Sequence, residues 1–399
     1  MPAFHQPFAE QVSYFKRKLN LPTERYDDIV GRAHDHAFVV AGAMQADLLA
    51  DLREKIEAAI LDGKGLTAFK KDFKEIVKKS GWAHTGTAAW RSKVIYQTNL
   101  RTSHAAGRWA QLTDPNTLKS RPYWRYVHSD YVLDPRPAHQ AWDGLILPAD
   151  DLWWSTHFPP NGWGCQCTIQ AIAKDELASY GKEQPDDPPS DANDTQGIDE
   201  GWDYAPGASR LEALTPAEAS QLLVATEALK PATDNLPEPR IYPQEHLLAK
   251  DISAEQAATA FLAEFGATLE KPVVFTDATG QPLTISASLF GKDGDVSKAN
   301  RRGRGPFMLM LAETIKEPDE IWDKYELFQG KTTVIRRRYI ANFIAQDTQT
   351  PGIAVFEHYK GGWFGITTYQ ANPNEGLSLA DYMASIRTGH RAYRRNEKS

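Results

Sequence analysis

The chain has 399 residues, 41% of them hydrophobic, and a formal net charge of -7. That length exceeds one ordinary domain and predicts two or three, while the acidic balance excludes a chain that binds polyanions over its whole surface. Its two cysteines stand one residue apart, which excludes a disulfide framework and fits a reducing compartment.

The opening MPAFHQPFAEQ lacks the basic segment and apolar run of a secretory signal, and no window approaches a membrane span. No membrane is therefore expected as a partner. Phe8, Val12, Phe15 and Leu19 fall on one face of a helix that Leu21–Pro22 stops. Val39, Met44, Leu48, Leu52, Ile56 and Ile60 predict a long buried helix ending at Asp62–Gly63. Leu66, Phe69, Phe73, Ile76 and Val77 predict a third, closed by Gly81. From Ala88 to Leu112 a fourth turns Trp90, Val94, Ile95 and Leu100 inward, with Arg91, Arg101 and Arg108 on other faces. Pro115 forbids its continuation. Those arginines read as a solvated or salt-bridged face, with contact to DNA or a portal ring as the functional alternative.

The stretch from His128 to Cys167 concentrates His, Asp, Trp, paired prolines and both cysteines, with little helical periodicity. Rings fill space here, and Pro159–Pro160 and Asn161–Gly162 set sharp changes of direction. Cys165, Cys167, His128 and His139, with His157, Asp130 and Asp143 as further donors, could supply four ligands to zinc. No other cofactor is implied. The plainer reading is a wrapped loop whose buried thiols and imidazoles are satisfied by backbone groups.

The strings His128–Asp130, His139, Trp142–Gly144, Asp150–Asp151 with Trp153–Trp154, and PPNGWGCQC at 159–167 resemble the Mu F-protein-like minor head family. VIYQTNLRTSHAAGRWAQ, Val94 to Gln111, extends the resemblance upstream. It implies a phage or prophage head-morphogenesis protein. Its expected partners are portal and capsid or scaffold proteins, in the host bacterial cytoplasm during assembly and in the virion head.

After Cys167, the strand-like TIQAI leads into a Pro-, Asp- and Ser-rich stretch that reads as an extended or mobile connector, anchored at its end by Trp202 and Tyr204. Thr215–Glu218 is a helix start with a capping box, and residues 231–246 read as a second linker. The expected domains are 1–172, 173–245 and 246–399.

Beyond Ser253, which caps a helix running to Phe265, the pattern changes. A hairpin flanks DATGQ, a helix runs from Pro306 to Lys316, and alternating strands follow at 325–328, 332–343, 353–359 and 363–369. Leu379–Ile386 closes as a helix. The fold class is thus α+β and multidomain: a mostly α-helical N-terminal part with a wrapped CxC segment, then an α+β domain with an antiparallel sheet.

PFMLMLAETIKEPDEIW (306–322), RRRYI (336–340), ITTYQ (366–370) and IRTGHRAY (386–393) resemble the phage-associated branch of the barnase/EndoU/colicin/RelE-like nucleases. The resemblance implies a metal-independent endoribonuclease toxin with an RNA substrate; an immunity protein is a further candidate partner. Such chemistry needs a base for the ribose 2′-OH, cations for the phosphorane and an acid for the leaving oxygen. Arg336, Arg337 and Arg338 are the candidate cations, with Arg336 and Arg338 on one face of a strand and Arg337 on the other. Thr367 and Thr368 are candidate phosphate ligands, favoured by the resemblance, and His358 and His246 are candidate bases. Arg301, Arg302, Arg304, Arg387 and Arg391 could follow a phosphate backbone. The alternative is a non-enzymatic assembly protein whose C-terminal domain binds portal, capsid or nucleic acid, its arginines merely protecting a sheet edge.

Overall fold

The computed structural model describes residues 8–132, 134–229, 232, 234–291, 295–328, 332–346, 348–359, 362–370 and 378–395. The chain forms two compact units, Met1–Ala225 and Thr226–Ser399.

The first unit opens with α1 (Ala9–Arg17), then the short strands β1 (Leu19–Asn20) and β2 (Ala37–Phe38), paired in parallel. Three helices follow, α2 (Ala46–Asp62), α3 (Leu66–Ser80) and α4 (Ala88–Leu112). Both α2 and α3 stop at a glycine in the left-handed region, Gly63 and Gly81, as a chain without a Cβ does most readily. Phe15, Phe38, Leu52, Ile56, Phe73 and Ile95 meet in one core. Burial of each such side chain stabilises by about 1.5–3 kcal/mol.

Two expectations need correction here. The second helix begins at Ala46, not near Val39, because Ala37–Phe38 pair with β1 and Val40 and Ala43 reach the core from a turn. Trp90 does not point inward: it is 52% exposed, and its ring lies back over Gly86.

Pro115 ends no more than a connection, for it opens α5 (Pro115–Ser120), capped by Asp114 on the N–H groups of Asn116 and Thr117. Then come β3 (Tyr123–Val127), α6 (Pro137–Ala141), β4 (Ile146–Pro148), α7 (Trp154–His157) and β5 (Thr168–Ile172). The three strands form one antiparallel sheet with β3 at its centre, and Val127 lies opposite Thr168. Trp124, Trp142, Trp153, Trp154 and Phe158 pack with both cysteines in a second core.

The stretch expected as a mobile connector lies along this unit. Asp186 N–H donates to the Ile146 carbonyl, Asp199 pairs with Arg136, and Trp202 and Tyr204 are buried. Buried Asp35 accepts from Tyr14 Oη at 2.7 Å and from the Gly207 N–H at 2.9 Å. Polar groups of this stretch find specific partners within the unit. The helix α8 (Pro216–Glu227) begins at a Thr215–Glu218 capping box, as its sequence predicts.

The second unit contains β6 (Arg240–Ile241), α9 (Ala254–Ala263), β7 (Val273–Thr276), β8 (Pro282–Ile285) and α10 (Met308–Lys316). Next are β9 (Glu320–Phe328), β10 (Thr332–Ala341), β11 (Phe343–Ala345), β12 (Thr348–Gln349), β13 (Gly352–Tyr359) and β14 (Gly362–Gln370). The last are α11 (Leu379–Ile386) and β15 (His390–Arg394). The main sheet has the order β15-β9-β10-β13-β14-β8-β7, antiparallel except where β14 meets β8. Leu311 and Thr314 of α10 approach Gly352 of β13. Met383, Leu379 and Ile386 of α11 cluster with Trp322, Ile340 and Ile353. Among the described residues, no helix is long and apolar enough to cross a membrane.

Candidate functional site

The pleat of β10 sorts its three consecutive arginines. Arg336 Nη1 lies 2.8 Å from Glu326 Oε2 on β9, and its Nε lies 3.4 Å from Glu357 Oε2 on β13. Arg338 pairs with the other oxygen of Glu326. Arg336 is directly opposite Glu357 in register, so the pair follows from strand alignment. Burial alone would raise the Glu326 pKa, but Arg338 and then Arg336 hold it below the ordinary value. These side chains are partly exposed, with 26% of Arg336 and 16% of Arg338 open to solvent.

On the opposite face Arg337 is buried. Its Nε and Nη2 each lie 2.7 Å from one oxygen of Asp323, while Nη1 reaches Asp277 Oδ2 at 2.8 Å and Thr279 Oγ1 at 2.9 Å. Tyr339 Oη donates to the same Asp277 oxygen at 2.5 Å. Burial pushes Asp277 up, but Arg337 foremost, then Tyr339, Thr279 and the Gln281 N–H, bring its pKa below the ordinary value. The Arg337 guanidinium stacks over Trp363, 4.7 Å from the ring centre, and His358 meets that ring edge-on at 5.2 Å. Arg337 is thereby a cation inside the fold, tying the β7–β8 turn to the sheet, and not one presented to solvent. His358 shares its face and not that of Arg336 and Arg338.

The other predicted residues scatter. His246 is exposed and packs against Tyr242, whose β6 neighbourhood belongs to the small β12-β11-β6 sheet. Thr367 and Thr368 stand opposite Val355 and Ala354 in backbone register; their side chains lie outside the described part. Arg301 is exposed, the Arg302 side chain also lies outside the described part, and Arg304 Nε donates to the Arg301 carbonyl. Arg387 is buried: Nε and Nη2 take both oxygens of Glu320 at 2.7 and 2.8 Å, and Nη1 donates to the Asp234 carbonyl. Arg391 pairs with Asp234 at 2.7 Å and covers Trp322. The arginine tail is thus strand β15 with intramolecular partners. Reading single strands missed Glu326 and Glu357, since only cross-strand register reveals them.

The first unit assembles a second constellation. His139 Nδ1 is 3.7 Å from both Cys165 Sγ and Cys167 Sγ, and His128 Nδ1 is 3.5 Å from Cys167 Sγ. His139 is only 2% exposed, Cys165 3% and Cys167 9%. Both cysteines are free thiols. A hydrogen bond from Cys167 draws the Cys165 thiol down despite burial, and the same bond pushes Cys167 up. Of the other donors, His157 stacks on Trp153 with Nδ1 on the Trp153 carbonyl, and Asp143 accepts the His128 N–H. Three donors, His139, Cys165 and Cys167, lie mutually close here, and His128 adds a contact to Cys167.

Comparison with known proteins places both units. Residues 50–170 match the family described as Phage Mu protein F like protein. Over 193 residues the chain is 33% identical to protein F of Escherichia phage Mu, whose name assigns it to capsid assembly; this covers 44% of the chain and 42% of the relative. Over 176 residues it is 34% identical to the Mu-like prophage FluMu F protein of Haemophilus influenzae, covering 41% of each. The matched stretch spans less than half the length of either curated relative. No solved structure matches the chain. Residues 260–394 match the family described as phage-Barnase-EndoU-ColicinE5/D-RelE like nuclease2. The chain therefore joins a Mu F-like segment to a C-terminal segment like the phage-associated barnase/EndoU/colicin/RelE nucleases.

Proposed function

We propose that this is a phage or prophage head-assembly protein whose C-terminal unit cleaves RNA without a metal ion. The Mu F-like segment supports docking on portal and capsid proteins, with assembly in the host cytoplasm and residence in the virion head. The observation that carries the cleavage reading is the cluster of partly exposed Arg336, Arg338 and Glu326 with buried Glu357 across three adjoining strands. Its guanidinium groups suit the non-bridging oxygens of a phosphorane. Glu357, with the longer of the two Arg336 contacts, takes the proton of the ribose 2′-OH, and solvent protonates the departing 5′ oxygen. Glu326 holds the two arginines at a fixed spacing before RNA arrives.

The same ion pairs favour a second reading. A phosphate must compete with Glu326 for both arginines, and a unit that fails this competition would bind capsid, portal or nucleic acid without cutting. The discriminating experiment incubates the full chain with RNA in chelator. Cleavage that persists in chelator and disappears in an Arg336→Ala/Arg338→Ala variant supports the nuclease. No cleavage of tRNA, mRNA or ribosomal RNA by the unmutated chain would leave the binding role.

A further inference from the structure

We propose that His128, His139, Cys165 and Cys167 hold a structural zinc ion in the first unit. Zinc bound tetrahedrally, with about 2.3 Å to sulfur and about 2.0–2.1 Å to nitrogen, sets its S···N edges at about 3.6 Å. The three S···N separations here are 3.5, 3.7 and 3.7 Å. The donor atoms of His139, Cys165 and Cys167 all lie within 4.8 Å of one another.

The tautomer of His139 decides between metal and simple hydrogen bonding. Its Nε2 is 3.0 Å from the Gly197 carbonyl. A carbonyl only accepts, so Nε2 carries the hydrogen and Nδ1 is bare. Nδ1 then has one lone pair and two equidistant sulfurs. A single S–H donor accounts for one of these contacts; an ion bound to all three atoms accounts for both. A ring N–H fixed on a backbone carbonyl is also how metal-bound imidazoles are oriented.

Two thiolates and two neutral imidazoles balance one divalent cation, so the buried centre carries no net charge. A bond between the two cysteines is no rival, because the CxC spacing strains a disulfide.

Position in the fold gives the ion its role. His128 follows β3 and Cys167 precedes β5, at the end of the ladder where Val127 faces Thr168. His139 comes from α6. One ion ties the open end of two strands to a helix, across a segment whose own elements are short. With His128 closing in beside Cys167 as the fourth donor, no position is left for substrate, so the site is structural and not catalytic.

The test uses the untagged full chain, expressed with zinc in the medium, dialysed and assayed by elemental analysis. One zinc per chain is expected. Cobalt exchanged into the same chain should give the absorption of a tetrahedral thiolate complex, a readout that needs no variant. Cys165→Ser/Cys167→Ser should bind neither metal, and His128→Ala should bind more weakly. A chain that takes up neither zinc nor cobalt overturns the proposal, as does metal retained by the double cysteine variant. RNA cleavage by the zinc-depleted chain should persist, so failure here is distinct from failure of the nuclease reading.

Discussion

Arg337 and Asp323 meet fork to fork, with both carboxylate oxygens 2.7 Å from guanidinium nitrogens in the interior of the second unit. Asp277 shares the same cation at 2.8 Å. Removing one member of a buried ion network leaves its partners charged and desolvated, at about 3–5 kcal/mol. Arg337→Ala should therefore destabilise the second unit by about that amount, and Arg337→Lys should recover only part, since an ammonium lacks the planar fork. Denaturant unfolding of the full chain reads both. A loss below about 1 kcal/mol would show that water or a neighbour replaces the guanidinium.

Acid should expose this network and the Glu326 ion pairs on the opposite face. Asp277 and Glu326 have folded pKa values below their ordinary 3.8 and 4.5. Above those ordinary values both carboxylates are ionised whether the chain is folded or not, and their stabilisation is complete. As pH falls, the unfolded chain takes up protons first. The stabilisation then shrinks and is gone once pH passes below the depressed folded values. The thermal midpoint of the second unit should hold steady at pH 5–7 and drop beneath pH 4.5. Asp277→Asn and Glu326→Gln should each flatten that drop while lowering the midpoint at neutral pH. An unchanged acid slope in both variants would remove these residues as its source.

If the partly exposed face cleaves RNA, its members should separate in kinetics. Glu357→Gln keeps the shape and removes the base, with an expected fall in kcat of about 10²–10⁴-fold. Arg338→Ala removes transition-state charge stabilisation, with a fall of about 10²–10³-fold. His358→Ala lies on the other face and should change kcat by less than about tenfold. A His358 variant as inactive as the Glu357 variant would relocate the site to the Arg337 and Trp363 side.

Local signals carried much of this architecture. The bounds of α4 and α11 follow from their sequence pattern, and the two-face sorting of Arg336–Arg338 follows from strand alternation alone. Register was not legible. Glu357 stands opposite Arg336, and Glu326 two positions from Arg336's partner Lys324, only once three strands are aligned. Strand β15 escaped notice because HRAYR offers charges where apolar alternation was sought, and those charges are neutralised by Asp234 and Glu320 far away in sequence. The acidic stretch after Cys167 looked unstructured for a related reason: its order comes from specific polar partners such as Arg136 and the Ile146 backbone together with a few buried anchors, Leu177, Trp202 and Tyr204. The proposed zinc donors stood out in composition, whereas the Gly197 carbonyl beside His139 Nε2 gave no signal.

That carbonyl offers the sharpest test of how the cluster is built. Gly197 has φ +92, and a Cβ there would lie 2.3 Å from Ala138 Cβ, next to His139 on α6. Gly197→Ala thus adds left-handed strain and forces α6 and the acidic stretch apart, without touching a donor atom. The imidazole loses the acceptor that keeps Nδ1 bare and aimed at the two sulfurs. Outer partners of metal ligands are worth about 10–100-fold in affinity. Competition with a chromophoric chelator should show zinc affinity falling by that factor in Gly197→Ala, while Gly207→Ala, a close-packed glycine elsewhere in the unit, lowers stability but leaves zinc affinity within about threefold. Equal affinity in the Gly197 variant and the parent chain would mean that His139 is oriented by its ring stacking on Trp142 instead.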